Sequence, residues 1–300
     1  ILRTFFILRG RNRRDVVKKI KKWEIILYFG LFLLISIGLT ASVKIGQKKY
    51  FPREESEGDV KILFMGDSNF AYEFESYSIP DMIGATEGYS IYNIAIGGSG
   101  AAEYHTFADP DKREDLFGFH YLTRIAVTGN YQSVVTMENE NTADEIDRII
   151  YLTQIDLREI DYIVISYGLN DYMSGIPIEG EDPYDESTYC GALRSGIRRL
   201  RQETDAKIIL TSVTYAFFED EVTGPADGYE IDYGGGTIDA YRDAAQMVAL
   251  EFQDVIFYDA LEELGINETN YRDYMLDTIH LNEKARTLYA EKLLKVIEEN

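Results

Sequence analysis

The sequence predicts an α/β domain built on a parallel sheet of about five strands. Apolar runs of four to eight residues recur along the chain, and segments whose apolar residues repeat with helical spacing lie between them. Strands that alternate with helices form parallel sheets covered by helices on both faces. With 300 residues, of which 45% are hydrophobic, the chain is long enough for one such domain with a full core.

The predicted strands and helices follow one another along residues 60–300. The strands are expected at residues 60–65, 89–96, 162–167, 207–213 and 255–258. The helices are expected at residues 142–154, 188–203, 237–252 and 282–298, the last with Asn282 as its N-cap. Residues 101–140 lack clear periodicity, and residues 214–236 are acidic and rich in glycine. Loops of that length are usually functional or disordered, so both segments are expected to border the substrate site.

Residues 1–59 are expected to lie outside this domain. Residues 1–24 hold nine Lys or Arg against two acidic residues, and residues 25–43 are an uncharged apolar run of 19. Such a run is long enough to span a bilayer, and a basic segment before it marks the cytoplasmic side. The sequence predicts a cytoplasmic segment at 1–24, a transmembrane anchor at 25–43, a polar stalk at 44–59 and an extracytoplasmic domain at 60–300. The alternative is a cleaved signal peptide, which would release a secreted protein.

Charge and cysteine content exclude several classes of function. The chain carries a net charge of −22, and the residues after Glu24 carry −29. Such an acidic body repels phosphate backbones, so no nucleic-acid partner is expected. The single cysteine, Cys190, excludes an intramolecular disulfide and any CxxC motif. Three scattered histidines without an HExxH sequence make a zinc site unexpected, and the sequence predicts no metal or other cofactor.

Four short motifs follow predicted strands or precede the last helix. In chain order they are Gly66-Asp67-Ser68-Asn69, the run from Asn93 to Gly100 with Gly97 and Gly98, Gly168-Leu169-Asn170-Asp171, and Asp277-Thr278-Ile279-His280. Each motif alone is also typical of ordinary structure, such as a helix-capping serine, a flexible turn, an Asx turn or a structural histidine. Their chemistry depends on whether they meet in space.

The types of residue in these motifs suit acyl transfer. A serine just past a strand can point its hydroxyl over the edge where open α/β sheets bind ligands. A glycine turn frees an N–H to face a ligand, and the Asn170 side-chain amide can donate to a developing oxyanion. The spacing of Asp277 and His280 lets the carboxylate orient the imidazole while the ring reaches a serine hydroxyl.

Taken together and in this order, the four motifs resemble those of the SGNH hydrolases, also called GDSL esterases. The resemblance covers about residues 60–300 and implies a flavodoxin-like three-layer α/β/α sandwich. Asn69 departs from the pattern, because it stands where the leucine that gives the GDSL name would be. His105 and His120 match no motif of the family and are expected to be structural.

The resemblance also implies a role for each motif residue. The implied catalytic triad is Ser68, Asp277 and His280. The implied oxyanion donors are the N–H groups of Ser68 and Gly98 and the amide of Asn170. The residues expected to support these turns are Asp67, Gly97 and Asp171.

The resemblance implies hydrolysis of carboxylic esters without a cofactor. An anchored enzyme that faces outward meets envelope polymers first, so the expected substrate is an acylated carbohydrate or a small ester, with O-acetyl groups favoured. Two alternatives remain open: an O-acyltransferase that uses the same triad on a surface polysaccharide, and a non-catalytic surface-binding module that keeps the fold. Acyl transfer with a purified donor and acceptor, and labelling by a serine-reactive probe, would distinguish them.

Overall fold

The computed structural model describes residues 58–71, 77–103, 114–135, 142–220 and 224–300. The cytoplasmic segment, the membrane anchor at 25–43 and nearly all of the stalk expected from the sequence lie outside the described residues, as does His105. In the part of the chain that the structure describes, no helix combines the length and the apolar character needed to cross a bilayer.

A five-stranded parallel sheet forms the centre of the domain. The strands of the described residues are β1 (Val60–Gly66), β2 (Tyr89–Asn93), β3 (Tyr162–Ser166), β4 (Lys207–Thr211), β5 (Phe217–Asp220), β6 (Gly224–Asp227) and β7 (Val255–Tyr258). The parallel sheet has the order β2-β1-β3-β4-β7, and β5 and β6 form a separate antiparallel hairpin. The predicted α/β fold with five parallel strands is therefore confirmed, and the strand order is flavodoxin-like.

Helices connect the strands and pack in two groups. They are α1 (Ser68–Ala71), α2 (Ile79–Gly84), α3 (Phe119–Thr128), α4 (Gln132–Val135), α5 (Ala143–Leu152), α6 (Leu169–Met173), α7 (Tyr189–Leu200), α8 (Ile238–Glu251), α9 (Ala260–Glu263) and α10 (Glu283–Glu299). Helix α10 packs against α2, whereas α7 packs against both α3 and α8. The four predicted helices correspond to α5, α7, α8 and α10, and the Asn282 side chain caps α10 by accepting from the N–H of Ala285 at 3.2 Å.

The central strands are buried on both faces. In β1, Ile62, Leu63, Phe64 and Met65 are all fully buried, although successive side chains of a strand point to opposite faces. The inner residues of β3 and β4 are buried in the same way. Helices must therefore cover both faces of the sheet, and the residues that follow β1 and β3 start from firmly held backbone.

Both segments that were expected to be irregular contain regular structure. Residues 101–140 include α3 and α4, and residues 214–236 include the β5–β6 hairpin. The buried face of α3 carries His120 and Thr123, but Phe119, Leu122 and Ile125 lie on it at helical spacing, so this segment does contain a helix signal. The hairpin strands are only four residues each and lack clean alternation, which leaves no strong strand signal.

Candidate active site

Ser68 lies at the carboxyl end of β1, as the first residue of the short helix α1. The turn is fixed by Asp67, whose Oδ1 accepts from the N–H of Asn69 at 3.0 Å and whose carbonyl accepts from the N–H groups of Phe70 and Ala71. These bonds start a helix one residue after the strand ends. The Ser68 side chain is thereby held at the edge of the sheet where its strand order reverses, which is where open α/β sheets bind ligands.

The Ser68 hydroxyl meets a histidine from the other end of the chain. Its Oγ lies 2.9 Å from Nε2 of His280, and Nδ1 of the same ring lies 2.7 Å from Oδ2 of Asp277. Both distances are those of hydrogen bonds. The hydroxyl, the imidazole and the carboxylate therefore form one continuous chain of contacts between residues that are 212 positions apart in the sequence.

Asp277 holds both the imidazole and the loop that carries it. Its Oδ1 accepts from the backbone N–H groups of Ile279 at 2.9 Å and His280 at 2.8 Å. Desolvation raises the pKa of Asp277, but the bonds from the His280 ring and from these two N–H groups outweigh it and leave the pKa below its ordinary value. The carboxylate is therefore ionised at neutral pH and favours a proton on Nδ1 of the ring.

Asn170 lies beside the segment that follows β2 from Ile94 to Ala102, which we call the glycine loop. Asn170 is in α6, directly after β3, and its Nδ2 donates to the carbonyl of Ser99 at 2.9 Å. An amide nitrogen carries two hydrogens, so this bond uses only one of them. Gly98 has a φ of 74°, and a Cβ there would meet no described residue beyond its chain neighbours within 4 Å. The backbone of the loop is thus open on that side.

The turn that leads into Asn170 requires glycine. Gly168 has a φ of 127°, and a Cβ at this position would lie 2.7 Å from the Tyr189 hydroxyl and 2.8 Å from Cγ1 of Val213. Both the backbone conformation and the close packing exclude other residues without rearrangement. Gly168 thereby lets β3 turn directly into α6 and delivers Asn170 to the edge of the sheet.

Asp171 ties α6 to the glycine loop. Its carboxylate accepts from the N–H of Ala101 at 2.8 Å and from that of Ala102 at 2.9 Å. Burial raises the pKa of Asp171 to about 6, although the two N–H groups favour its charged form. Together with the bond from Asn170 to Ser99, these contacts join the residues after β3 to the residues after β2.

Asp67 is a second buried carboxyl at the site. It is 4% exposed, and burial raises its pKa to about 6, while the N–H of Asn69 and the nearby His280 lower it. Its contacts are those of a group that holds the Ser68 turn. Asp67 and Asp171 thus brace the segments that follow the neighbouring strands β1 and β3.

The structure does not bring every singled-out residue to the site. Gly97 lies in the glycine loop, directly before Gly98. His120 is buried in α3, and its backbone N–H donates to the carbonyl of Ala101, so it packs against the end of the glycine loop. Among the described residues, no group of three or more His, Cys, Asp or Glu is arranged to hold a metal ion.

Two contacts at the site had no counterpart in the sequence motifs. The N–H of Phe217, at the start of the hairpin, donates to the carbonyl of Thr278 at 3.0 Å. The Oδ1 of Asn69 accepts from the N–H of Leu281 at 3.2 Å. Both hold the loop of His280, and both join segments far apart in the chain, so no local pattern could indicate them.

A profile of the GDSL-like Lipase/Acylhydrolase family matches residues 64–287, a range that includes all four motifs. The chain is a member of this family. The GDSL-like hydrolase is therefore an ester-hydrolysing enzyme, as the order of its motifs predicts. No curated protein matches the chain at a significant level.

Solved structures share the fold of this GDSL-like hydrolase. A protein from Lactobacillus plantarum is 17% identical, with a TM-score of 0.54 over 81% of this chain and 98% of that chain. Another crystal structure is 18% identical, with a TM-score of 0.55 over 80% of this chain and 96% of that one. A family two carbohydrate esterase from Clostridium thermocellum in complex with cellohexaose is 18% identical, with a TM-score of 0.49 over 80% of this chain and 64% of that chain. At these identities the likeness to the first two structures concerns the fold alone.

Proposed function

We propose that this GDSL-like hydrolase is a membrane-anchored, extracytoplasmic serine esterase that removes O-acyl groups, acetyl above all, from carbohydrates or cell-envelope polymers. The observation that carries the proposal is the chain of contacts at 2.9 Å and 2.7 Å from Ser68 through His280 to Asp277. An ionised carboxylate, an imidazole and a hydroxyl in this order are the parts of a serine nucleophile with its general base.

The first chemical step is attack by Ser68 on the ester carbonyl. As Oγ forms a bond to the carbonyl carbon, its proton passes to Nε2 of His280, 2.9 Å away. Asp277 keeps the other ring proton on Nδ1 and stabilises the imidazolium that forms. The imidazolium then gives its proton to the departing alcohol, which leaves an acyl group on Ser68.

The negative charge of the tetrahedral intermediate is held by fixed donors. We assign this role to the N–H groups of Ser68 and Gly98 and to the second amide hydrogen of Asn170. The first amide hydrogen bonds the Ser99 carbonyl, so the Asn170 amide is already oriented before substrate binds. Water, activated by His280 in the same way as Ser68, then releases the acyl group as a free acid.

The location and the substrate class rest on the sequence. The uncharged run at residues 25–43 follows nine basic residues, which favours a cytoplasmic N-terminus and an outward-facing hydrolase domain. A domain so placed meets acylated envelope polymers first. Cell fractionation with protease treatment of intact cells tests the location: recovery of the full chain from the soluble cytoplasmic fraction contradicts it.

The nucleophile is tested with Ser68→Ala against a matched control, Ser174→Ala. Ser174 is an exposed serine just beyond α6, so its loss also removes one hydroxyl but no part of the proposed triad. Ser68→Ala is expected to abolish both hydrolysis of p-nitrophenyl acetate and labelling by a fluorophosphonate, whereas Ser174→Ala keeps both. Unchanged labelling of Ser68→Ala refutes the assignment.

The fate of the acyl group is tested with acetylated oligosaccharides. The proposal predicts that acetate appears in solution at the same rate with and without an added unacetylated acceptor. Faster transfer of the acyl group to the acceptor than to water would contradict hydrolysis and indicate an acyltransferase. Labelling without either product would contradict an O-acetyl substrate.

A further inference from the structure

Asn69, the residue directly after Ser68, reaches across to the loop that carries His280. It is 3% exposed, and its Oδ1 accepts from the backbone N–H of Leu281 at 3.2 Å. Leu281 directly follows His280. The contacts Ser68–His280 and Asn69–Leu281 therefore run side by side between the same two segments, each joining residues 212 positions apart.

These two contacts close a ring of atoms. The ring passes from the Ser68 hydroxyl through the His280 imidazole to the backbone, on to the N–H of Leu281, and back through the Asn69 side chain. The bond that the backbone N–H of Leu281 donates to the Asn69 side chain fixes the backbone next to His280, and so restricts the positions that the imidazole can take. The distance between Oγ and Nε2 is thus set by the backbone as well as by the reacting groups themselves.

Other bonds hold the His280 loop, but they join it to different parts of the molecule. The N–H of Phe217 holds the carbonyl of Thr278 from the hairpin side, and the N–H of Leu276 donates to the carbonyl of His280 within the loop. Asp277 holds the loop from within its own segment. Asn69, by contrast, joins the loop to the turn that carries the nucleophile.

The buried surroundings of Asn69 fix the orientation of its amide. The Leu281 N–H needs an acceptor, because Leu281 is fully buried, and this places Oδ1 toward it. At the other end, Nδ2 lies 3.5 Å from the hydroxyl of Thr214, a long contact with a second buried side chain. A leucine at position 69 could fill the same space but would leave the Leu281 N–H without its acceptor.

We propose that Asn69 is a positioning residue, which acts through His280 by fastening the following backbone amide to the nucleophile's own turn. The inference rests on the proposed roles of Ser68 and His280. It concerns a position at which this chain departs from the GDSL pattern. Asn69 thereby contributes to the rate of the chemical step and not to the binding of substrate.

The test compares Asn69→Leu, Asn69→Asp and Thr214→Val by kcat and KM on p-nitrophenyl acetate. Asn69→Leu removes the acceptor and is expected to lower kcat by about 10–100-fold, with KM changed by less than about threefold, since a small misplacement of a reacting group costs a similar factor. Asn69→Asp keeps an oxygen that can accept from Leu281 and is expected to recover most of the loss. Thr214→Val breaks only the long contact and is expected to lose less than about threefold in kcat.

A second readout separates positioning from general stability. The rate of fluorophosphonate labelling at saturating probe reports the reactivity of Ser68 and is expected to fall by the same factor as kcat, at temperatures well below each variant's Tm. If Asn69→Leu does not fold, Asn69→Ala, which adds no bulk, carries the same expectation. A kcat within twofold of wild type overturns the inference, as does a loss that Asn69→Asp does not restore. Failure of the proposed function is a different result, because Ser68→Ala would then keep the wild-type labelling.

Discussion

Replacing Asp277 with asparagine exchanges one carboxylate oxygen for an NH2 group, so that a hydrogen-bond acceptor becomes a donor. Oδ1 of Asp277 accepts from the backbone N–H groups of Ile279 and His280, so the remaining oxygen of an asparagine must stay at this position. The new NH2 group then takes the place of Oδ2, 2.7 Å from Nδ1 of His280. Two donors cannot share that contact. The ring therefore adopts the tautomer with its proton on Nε2, which faces Ser68 and cannot accept its proton.

The size of the loss depends on how exposed the carboxylate is. The change of a buried triad aspartate to asparagine costs on the order of 10⁴-fold in kcat. The Asp277 side chain is 54% exposed, so water can replace part of its interaction with the ring. We therefore expect Asp277→Asn to lower kcat by about 10²–10³-fold, which corresponds to about 3–4 kcal/mol in the activation barrier.

The assay is steady-state hydrolysis of p-nitrophenyl acetate near neutral pH, with Asp273→Asn as the charge-matched control. Asp273 is exposed in the segment just before the Asp277 loop, so its replacement removes one negative charge nearby without touching the ring. KM is expected to stay within about threefold for both variants, because the tautomer matters only once the proton moves. A loss below tenfold for a folded Asp277→Asn refutes the reasoning about the tautomer, as does an equal loss in the control.

Two further predictions concern the residues after β3. Asn170→Ala is expected to lower kcat by about 10²–10³-fold if its amide is an oxyanion donor, and a loss below tenfold would make Asn170 a turn residue only. Burial raises the pKa of Asp171 from 3.8 to about 6 in the folded state. Protonation of this carboxyl therefore stabilises the folded state below about pH 4, and the stabilisation is lost as the pH rises through 6. Urea denaturation should therefore show Asp171→Asn gaining about 1–3 kcal/mol relative to wild type between pH 4 and pH 7; a difference that does not change with pH contradicts this.

The sheet could be predicted because its strands carry a strong local signal. The runs that became β1, β3 and β4 are continuously apolar, since both faces of these strands are buried. The strands of the β5–β6 hairpin are too short to alternate and carry no such signal, whereas α3 has buried apolar residues at helical spacing and could have been predicted. The hairpin thus depends on tertiary contacts more than on periodicity.

Local motifs were enough to predict which residues form the site, but not the hydrogen bonds that join its loops. Parallel strands place their carboxyl ends at one edge, so the residues after β1, β2 and β3 had to lie near one another. The bonds that two backbone amides of the glycine loop donate to Asp171, and that the N–H of Leu281 donates to Asn69, depend on how separate loops pack. A sequence pattern contains no information on such pairs when they lie about 70 or 212 residues apart.

The loop of His280 is the part of the site held least directly by the sheet. Ser68 and Asn170 follow buried central strands, whereas the His280 loop comes after β7 at the edge of the sheet, with α9 and an irregular segment between. Its position is set instead by bonds to Asn69 and to the hairpin, and by α10, which starts three residues after His280. Since general-base catalysis requires the ring within hydrogen-bond reach of the hydroxyl, small changes in this loop should alter the rate more than equal changes beneath Ser68. The geometry of the proposed triad therefore depends most on contacts outside its three members.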